Sequence, residues 1–204
     1  MNAVVKESPA LLKLDLGCGP NPQPGFTGVD ALDFGKDNIV KHDLRVTPWP
    51  FEDNSVESAH CAHFIEHLTN FDDKWERVRF FNELWRVMVP VEYNNAGAPI
   101  KGFCRMILPH WCSNRYYGDP THKEPFGEMA ICYLDPVWRK ANAPHTDSEF
   151  SPEMYNCHWA VTYDYSMHPD LMGRNLEYQQ MAIKFWKEAA QDMLLTLACV
   201  KKLI

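Results

Sequence analysis

Two groups of residues in this chain have types and spacings that could do chemistry. The first is Gly17-Cys18-Gly19, which ends a run in which Leu12, Leu14 and Leu16 alternate with Lys13 and Asp15. A strand that stops at two near-adjacent glycines lets backbone pass close to a ligand, because glycine has no Cβ to keep it away. A second short strand over residues 26–29 closes on Asp30. A carboxylate there, beside a glycine turn at the end of the first strand, is how α/β folds grip a ribose. The second group is His63, His67, His110 and His122, all near the ends of expected strands, where a pocket should open. Histidine titrates near neutral pH, and a general base contributes about 10²–10⁴-fold when an acceptor must lose a proton.

Each of these residues has a plainer role beside the chemical one. G-x-G by itself is a weak fingerprint, and the third glycine of the dinucleotide motif is absent. Pro20, Pro22 and Pro24 stand where its helix would begin, so a phosphate-binding helix N-terminus is not expected. Asp33 could take the place of Asp30, and Asp43 could be an ordinary turn residue. His67 beside Glu66 could orient a short helix, and His63 could hold a loop or a water. A zinc site from His110, Cys112 and His122 has suitable ligand types but no standard spacing, so no metal is expected.

The elements that must position these groups read as alternating strand and helix. After Asp30, Ile39 and Val40 supply β-branched character to a third strand over residues 38–44 that ends in Asp43-Leu44. A turn-rich stretch, Thr47-Pro48-Trp49-Pro50-Phe51-Glu52-Asp53-Asn54-Ser55, leads to a fourth strand over residues 56–62. Residues 72–88 read as a helix: Val78, Phe81, Trp85 and Met88 recur at helical spacing, with Asp72 and Asp73 suiting its positive end. Pro90 stops it, a loop follows, and residues 102–108 form a fifth strand. Residues 110–155 fit no core element, yet Trp111, Tyr116, Tyr117, Phe126, Tyr133 and Trp138 imply a packed cap. A sixth strand over 157–166, an amphipathic helix over 176–191 and a last strand over 194–200 complete the chain.

With 204 residues, 46% hydrophobic and 23% charged, the chain suits one soluble domain, residues 1–204, whose core needs neither disulfide nor metal. A net charge of −7 counts against a broad nucleic-acid footprint. Seven cysteines without a C-x-x-C pair read as reduced thiols of a cytoplasmic protein. No signal peptide and no membrane span are expected.

Four segments carry a family resemblance. Leu14-Asp15-Leu16-Gly17-Cys18-Gly19 resembles motif I of the class I S-adenosylmethionine (SAM) methyltransferases. Pro48-Trp49-Pro50-Phe51-Glu52-Asp53-Asn54-Ser55 is similar to the P-[LWF]-P-F-x-D-x-S segment of their type 11 group. Ser58 to Leu68 resembles that group's strand followed by H-x-L-E-H-L, and Asp43 follows the third strand in the matching order. The resemblance implies an α/β, Rossmann-like open seven-stranded sheet with its first helix reduced or absent. It also implies that the aromatic cap, about residues 110–155, is inserted after strand five to build the acceptor site. Gly17, Cys18 and Gly19 would meet the methionine portion of SAM, with Asp15 organising the turn. Asp30 would hold the ribose, Asp43 and Leu44 the adenine, and Cys61 and His63 would lie by the methionine end. The family's usual L-K-P-G-G after the main helix is replaced here by Val89-Pro90-Val91-Glu92-Tyr93-Asn94-Asn95-Ala96-Gly97.

The expected activity is methyl transfer from SAM to an O, N or S atom of a small molecule or a protein side chain. Neither [DNS]-P-P-[YFW] nor a Pro-Cys nucleophile occurs, which disfavours DNA, while RNA and protein acceptors stay open. A methyltransferase-like binding module without turnover is the alternative. A nucleotide-sugar or dinucleotide enzyme, with a helix starting near Pro20, is a third.

Overall fold

The alternation of Leu14 and Leu16 with Lys13 and Asp15 makes Leu12–Leu16 (β1) a strand with one apolar and one polar face. It lies inside a seven-stranded sheet in the computed structural model, which describes residues 10–71, 74–146 and 154–201. In chain order the remaining elements are Thr27–Asp30 (β2), Ile39–Lys41 (β3), Val56–Ala62 (β4), Glu76–Val87 (α1), Glu92–Tyr93 (β5), Pro99–Lys101 (β6) and Phe103–Pro109 (β7). Asn114–Tyr117 (α2), Glu128–Cys132 (α3), Pro136–Asn142 (α4), Trp159–Met167 (β8), Leu176–Phe185 (α5) and Ala190–Cys199 (β9) follow. The sheet runs β3-β2-β1-β4-β7-β9-β8, and β5 with β6 forms a separate hairpin. The pairs from β3 to β7 are parallel, whereas β9 is antiparallel to both β7 and β8.

β1 pairs with β2 on one side and β4 on the other, which makes it the point where strand order reverses. In open α/β sheets the crevice beyond such a point is the usual ligand site. The links from β1 to β2, β2 to β3 and β3 to β4 contain no helix. The expected loss of the first helix is therefore present, and it extends to the next two connections. Prolines 20, 22 and 24 explain the first case, since they remove the N–H donors that a helix there would need.

In register, Leu14, Ala59, Cys104, Leu197 and Val161 form one rung, and Leu16, Cys61, Met106 and Leu195 the next. These side chains join Phe80, Phe81 and Leu84 of α1 in the main core. Full burial of side chains of this size contributes about 1.5–3 kcal/mol each. The opposite face carries the rung Asp15, His60, Arg105, Thr196 and Thr162. A cleft of about 730 Å³ runs along it, lined by Lys13, His60, Arg105, Thr162, Asp164 and Thr196.

Several boundaries differ from the sequence expectation. The main helix begins at Glu76, because Asn70 Oδ1 accepts the backbone N–H groups of Arg77 and Val78 and so fixes where its first turn lies. The proposed N-terminal pair, Asp72 and Asp73, lies outside the described residues. The loop after Pro90 contains the β5–β6 hairpin, whose turn is held by Asn94 Oδ1 accepting from the N–H groups of Ala96 and Ala98. The later helix stops at Phe185, and Ala190 already belongs to β9; Phe185 itself is exposed. The cap is packed at Tyr116 and Phe126, and Phe126 stacks on Phe81 of α1. Trp111 and Tyr117 are exposed. Among the described residues no helix is long and apolar enough to cross a membrane.

Gly102 turns the chain from the hairpin into β7 with φ +65°, and a Cβ there would lie 2.5 Å from the backbone of Pro90. Gly97 also has positive φ, but its Cβ direction is open. Gly102→Ala should therefore destabilise the fold by about 1–3 kcal/mol and clearly more than Gly97→Ala. Parallel urea unfolding of both variants checks this; equal losses would mean that the close approach at Gly102 relaxes freely.

Candidate functional site

The turn after β1 is built by positive φ at Gly17 (+68°) and Gly19 (+57°) and by bonds to β2. Gly17 donates its N–H to the Val29 carbonyl at 2.8 Å. Gly19 donates to Asp30 Oδ2 at 2.9 Å, and Asp30 Oδ1 accepts from Leu32 N–H at 3.0 Å. Asp30 thus ties the ends of two strands together and keeps acceptor capacity on both oxygens. Asp15 closes the same turn from the other face of the sheet, accepting Gln23 N–H at 2.7 Å and lying 2.8 Å from His60 Nδ1. The Cys18 thiol packs against Gly28, where a Cβ would come within 2.6 Å of the sulfur. Burial, with the charges of Asp15 and Asp30, pushes that thiol up to about 11, so it is protonated at neutral pH.

Beyond β3, Asp43 is clasped by its neighbour Arg45: Nε and Nη2 each donate to it at 2.9 Å, and the Arg45 N–H at 3.0 Å. The guanidinium holds the Asp43 carboxyl below its ordinary value. Leu44 is buried, and its carbonyl accepts the Trp49 indole N–H at 3.1 Å. A cavity of about 90 Å³ opens where these strand ends meet, lined by Gly17, Asp30, Asp43, Leu44, Phe64 and His67, among others. Phe64 lies so close over the glycine turn that a Cβ on Gly17 would meet its ring at 2.5 Å.

The chain after β4 gathers the second group. His63 takes φ +53°, a conformation uncommon for a side-chain-bearing residue, and a 3₁₀ turn at Ile65–His67 follows. A stretch of the cap, residues 119–125, straps across this turn. Lys123 N–H donates to the Glu66 carbonyl at 2.7 Å, and Asn70 N–H to Glu124 Oε1 at 2.7 Å. Arg77 of α1 joins both segments, donating to the carbonyls of Ile65 and Pro125. The strap brings His122 beside His67, with ring centroids 4.8 Å apart. Glu66, only 1% exposed, lies between them and His63, whose Nδ1 is 3.4 Å from Glu66 Oε1. The nearby Glu66 carboxylate holds the His63 imidazole above its ordinary value.

His122, distant in sequence from His63 and His67, thus joins them in one cluster with Glu66, and His67 also lines the cavity at the glycine turn. Two expectations need correction. His110 is fully buried with both ring nitrogens engaged, Nδ1 by Cys112 and Nε2 by Glu128 Oε1 at 3.0 Å, and it lines neither the cavity at the glycine turn nor the Glu66 cluster. Cys61 is a core side chain at 0% exposure, because the strand alternation that puts His60 on the polar face turns Cys61 inward. Sequence reading passed over Phe64 and Arg45. It also left Asp119, Pro120 and Thr121 without a role, although the segment they share with His122 is what brings that ring to His67. The only sequence sign of Glu66 as a participant was its position between two histidines.

The sheet order, the reversed β9 and the glycine turn at the switch point are those of the Rossmann-like methyltransferase fold. The solved structure of a SAM-dependent methyltransferase from Archaeoglobus fulgidus matches with a TM-score of 0.57 at 16% identity, covering 93% of this chain and 86% of that one. The YcgJ protein of Bacillus subtilis matches with a TM-score of 0.51 at 12% identity, covering 95% and 94%. No protein-family model matches the chain, and no curated protein does either.

The Glu128 carboxylate, bonded to His110 and to the Tyr165 hydroxyl at 2.9 Å, sits at about 2, well below its ordinary 4.5, chiefly through the His110 bond. A lowered carboxylate stabilises the fold fully above its unfolded value, and that contribution is lost as pH falls through the folded one. Wild type should therefore exceed Glu128→Gln in melting temperature by a constant margin above pH 5. The margin should shrink between pH 4.5 and 2, as followed by circular dichroism.

Proposed function

We propose that this chain is a SAM-dependent methyltransferase of the type 11 kind. It would methylate an O, N or S atom of a small molecule or a protein side chain. The observation that supports this most is the convergence of Gly17, Asp30, Asp43 and Leu44 on one cavity at the strand ends of a methyltransferase fold. When bound there, SAM would supply an activated methyl group on a good leaving group. The protein's own contribution is then alignment, which can account for roughly 7–11 kcal/mol of barrier reduction. Asp30, with acceptor capacity on both oxygens, is suited to ribose hydroxyls. Leu44 offers an apolar face to adenine, and Asp43 an acceptor for its amino edge beside the Arg45 clasp. His67 borders both the cavity and the polar cluster, which makes it the histidine best placed to take a proton from an acceptor. The acidic balance of the chain favours a small-molecule acceptor over a nucleic acid.

One observation favours the second reading, a binding module without turnover. Phe64 covers the glycine turn and leaves about 90 Å³, less than a nucleoside fills. The methyltransferase reading requires that ring to turn aside when SAM binds. Calorimetric titration with SAM and with its demethylated product should show one site for each. Charged hydrogen bonds contribute about 1.5–3 kcal/mol each, so Asp30→Ala with Asp43→Ala should weaken SAM binding about 10²–10⁴-fold. Unchanged affinity in that variant would remove SAM from this cavity. Binding by wild type without turnover on a panel of metabolites and peptides would favour the module.

A further inference from the structure

Glu66 is buried; His63 Nδ1 lies 3.4 Å from its Oε1, outside hydrogen-bonding geometry, and neither carboxylate oxygen accepts a hydrogen bond among the described residues. A buried carboxylate left in this state is costly unless a cation or a proton joins it. The two histidines at its side are arranged to offer lone pairs. His122 Nδ1 lies 2.6 Å from the Tyr116 carbonyl oxygen, which can only accept, so Nδ1 carries the ring proton. The Nε2 of the neutral ring is then a lone pair, 3.9 Å from Glu66 Oε1 and 3.8 Å from Asp119 Oδ2. His67 Nδ1 faces the Thr121 carbonyl at 3.4 Å and the Thr121 hydroxyl oxygen at 3.2 Å. That hydroxyl spends its proton on Asp119 Oδ1 at 2.6 Å, so His67 Nδ1 is also the donor and its Nε2 has no hydrogen-bond partner among the described residues. Outer groups that fix the tautomer of two imidazoles in this way are the usual support of metal-binding histidines.

One ligand atom each from Glu66, His67 and His122 lies within 4.8 Å of the other two. Metal–ligand bonds of roughly 2.0–2.2 Å place neighbouring donors about 3–4 Å apart, so a small side-chain rotation closes the set. We propose that Glu66, His67 and His122 bind a divalent first-row transition-metal ion, with His63 and Asp119 at the rim. Two imidazoles and one carboxylate select zinc, manganese or iron over magnesium and calcium and leave coordination positions open. Because His67 also lines the cavity at the glycine turn, a bound ion would lie beside that cavity, and His67 would then serve as its ligand and not as a proton acceptor. The inference does not rest on the methyltransferase reading.

The test uses full-length protein freed of metal by chelation, titrated calorimetrically with Zn²⁺ and separately with Mn²⁺, with no nucleoside present. One ion per chain is expected. Glu66→Gln and His122→Ala should each lose at least about 100-fold in affinity, more than the 10–100-fold typical of outer-shell changes. His168→Ala should be unchanged, since His168 is paired with Asp170 at a different place on the chain. Equal affinity in all four proteins, or no binding by wild type, overturns the proposal. If the two site variants do not fold by circular dichroism, Mn²⁺ broadening of wild-type histidine resonances decides. Selective loss of His67 and His122 signals supports the site, and uniform or absent broadening rejects it. Failure here would leave SAM binding standing, and failure of SAM binding would leave the ion.

Discussion

The hydrogen bond from Gly19 N–H to Asp30 Oδ2 is the tie on which the rest of this architecture depends. With no helix between β1 and β2, the chain must reverse and return in parallel within residues 17–26. Two glycines with positive φ make the reversal possible, and the Asp30 carboxylate and the Val29 carbonyl hold it in place. Asp15 braces the turn from the opposite face through Gln23 and His60. The same bonds set the depth of the crevice at the switch point, so the geometry of the candidate site and the stability of the sheet's centre are one problem.

A second constraint comes from the buried Glu66 and the strap above it. The strap is held by its backbone and by two of its side chains: Lys123 N–H donates to the Glu66 carbonyl, Arg77 to the Pro125 carbonyl, His122 Nδ1 to the Tyr116 carbonyl, and Glu124 Oε1 accepts from Asn70 N–H. His122 turns its ring toward Glu66, whereas Asp119 lies exposed at the edge of the cluster. Arg77 is itself buried, and burial lowers its guanidinium from the ordinary value, opposed by the Glu124 charge nearby. Charge is concentrated under this strap in a way that a purely apolar cap would avoid.

The sheet's two faces are unequal for a related reason. Omitting three crossover helices leaves the rung Asp15, His60, Arg105, Thr196 and Thr162 without a helix from those links above it. The cleft there is larger than the cavity at the glycine turn, yet it lies on the face away from Phe80 and Phe81 and does not include Gly17 or Asp30. Its polar rung explains how a strand set can leave that face open: Arg105 and Thr162 are exposed there, and the buried Asp15 is satisfied by Gln23 N–H and His60. Size alone would point to that cleft and not to the cavity that Gly17 and Asp30 line.

What the sequence alone determined was local. The alternation in Leu12–Leu16, the glycine pair, the prolines that exclude a helix and the carboxylate at Asp30 each act through neighbouring backbone, and the turn formed as those residues demand. The seven-stranded sheet was implied by the family resemblance of the motifs these elements carry, and short, un-knotted connections leave few other orders. Tertiary structure alone decided that Phe64 lies over Gly17, that Cys61 and His110 are buried, and that His122 reaches Glu66. Those outcomes depend on contacts between segments tens of residues apart. No spacing along the chain encodes where a cap loop docks; the docking is set by which buried backbone groups still lack partners once the sheet has formed.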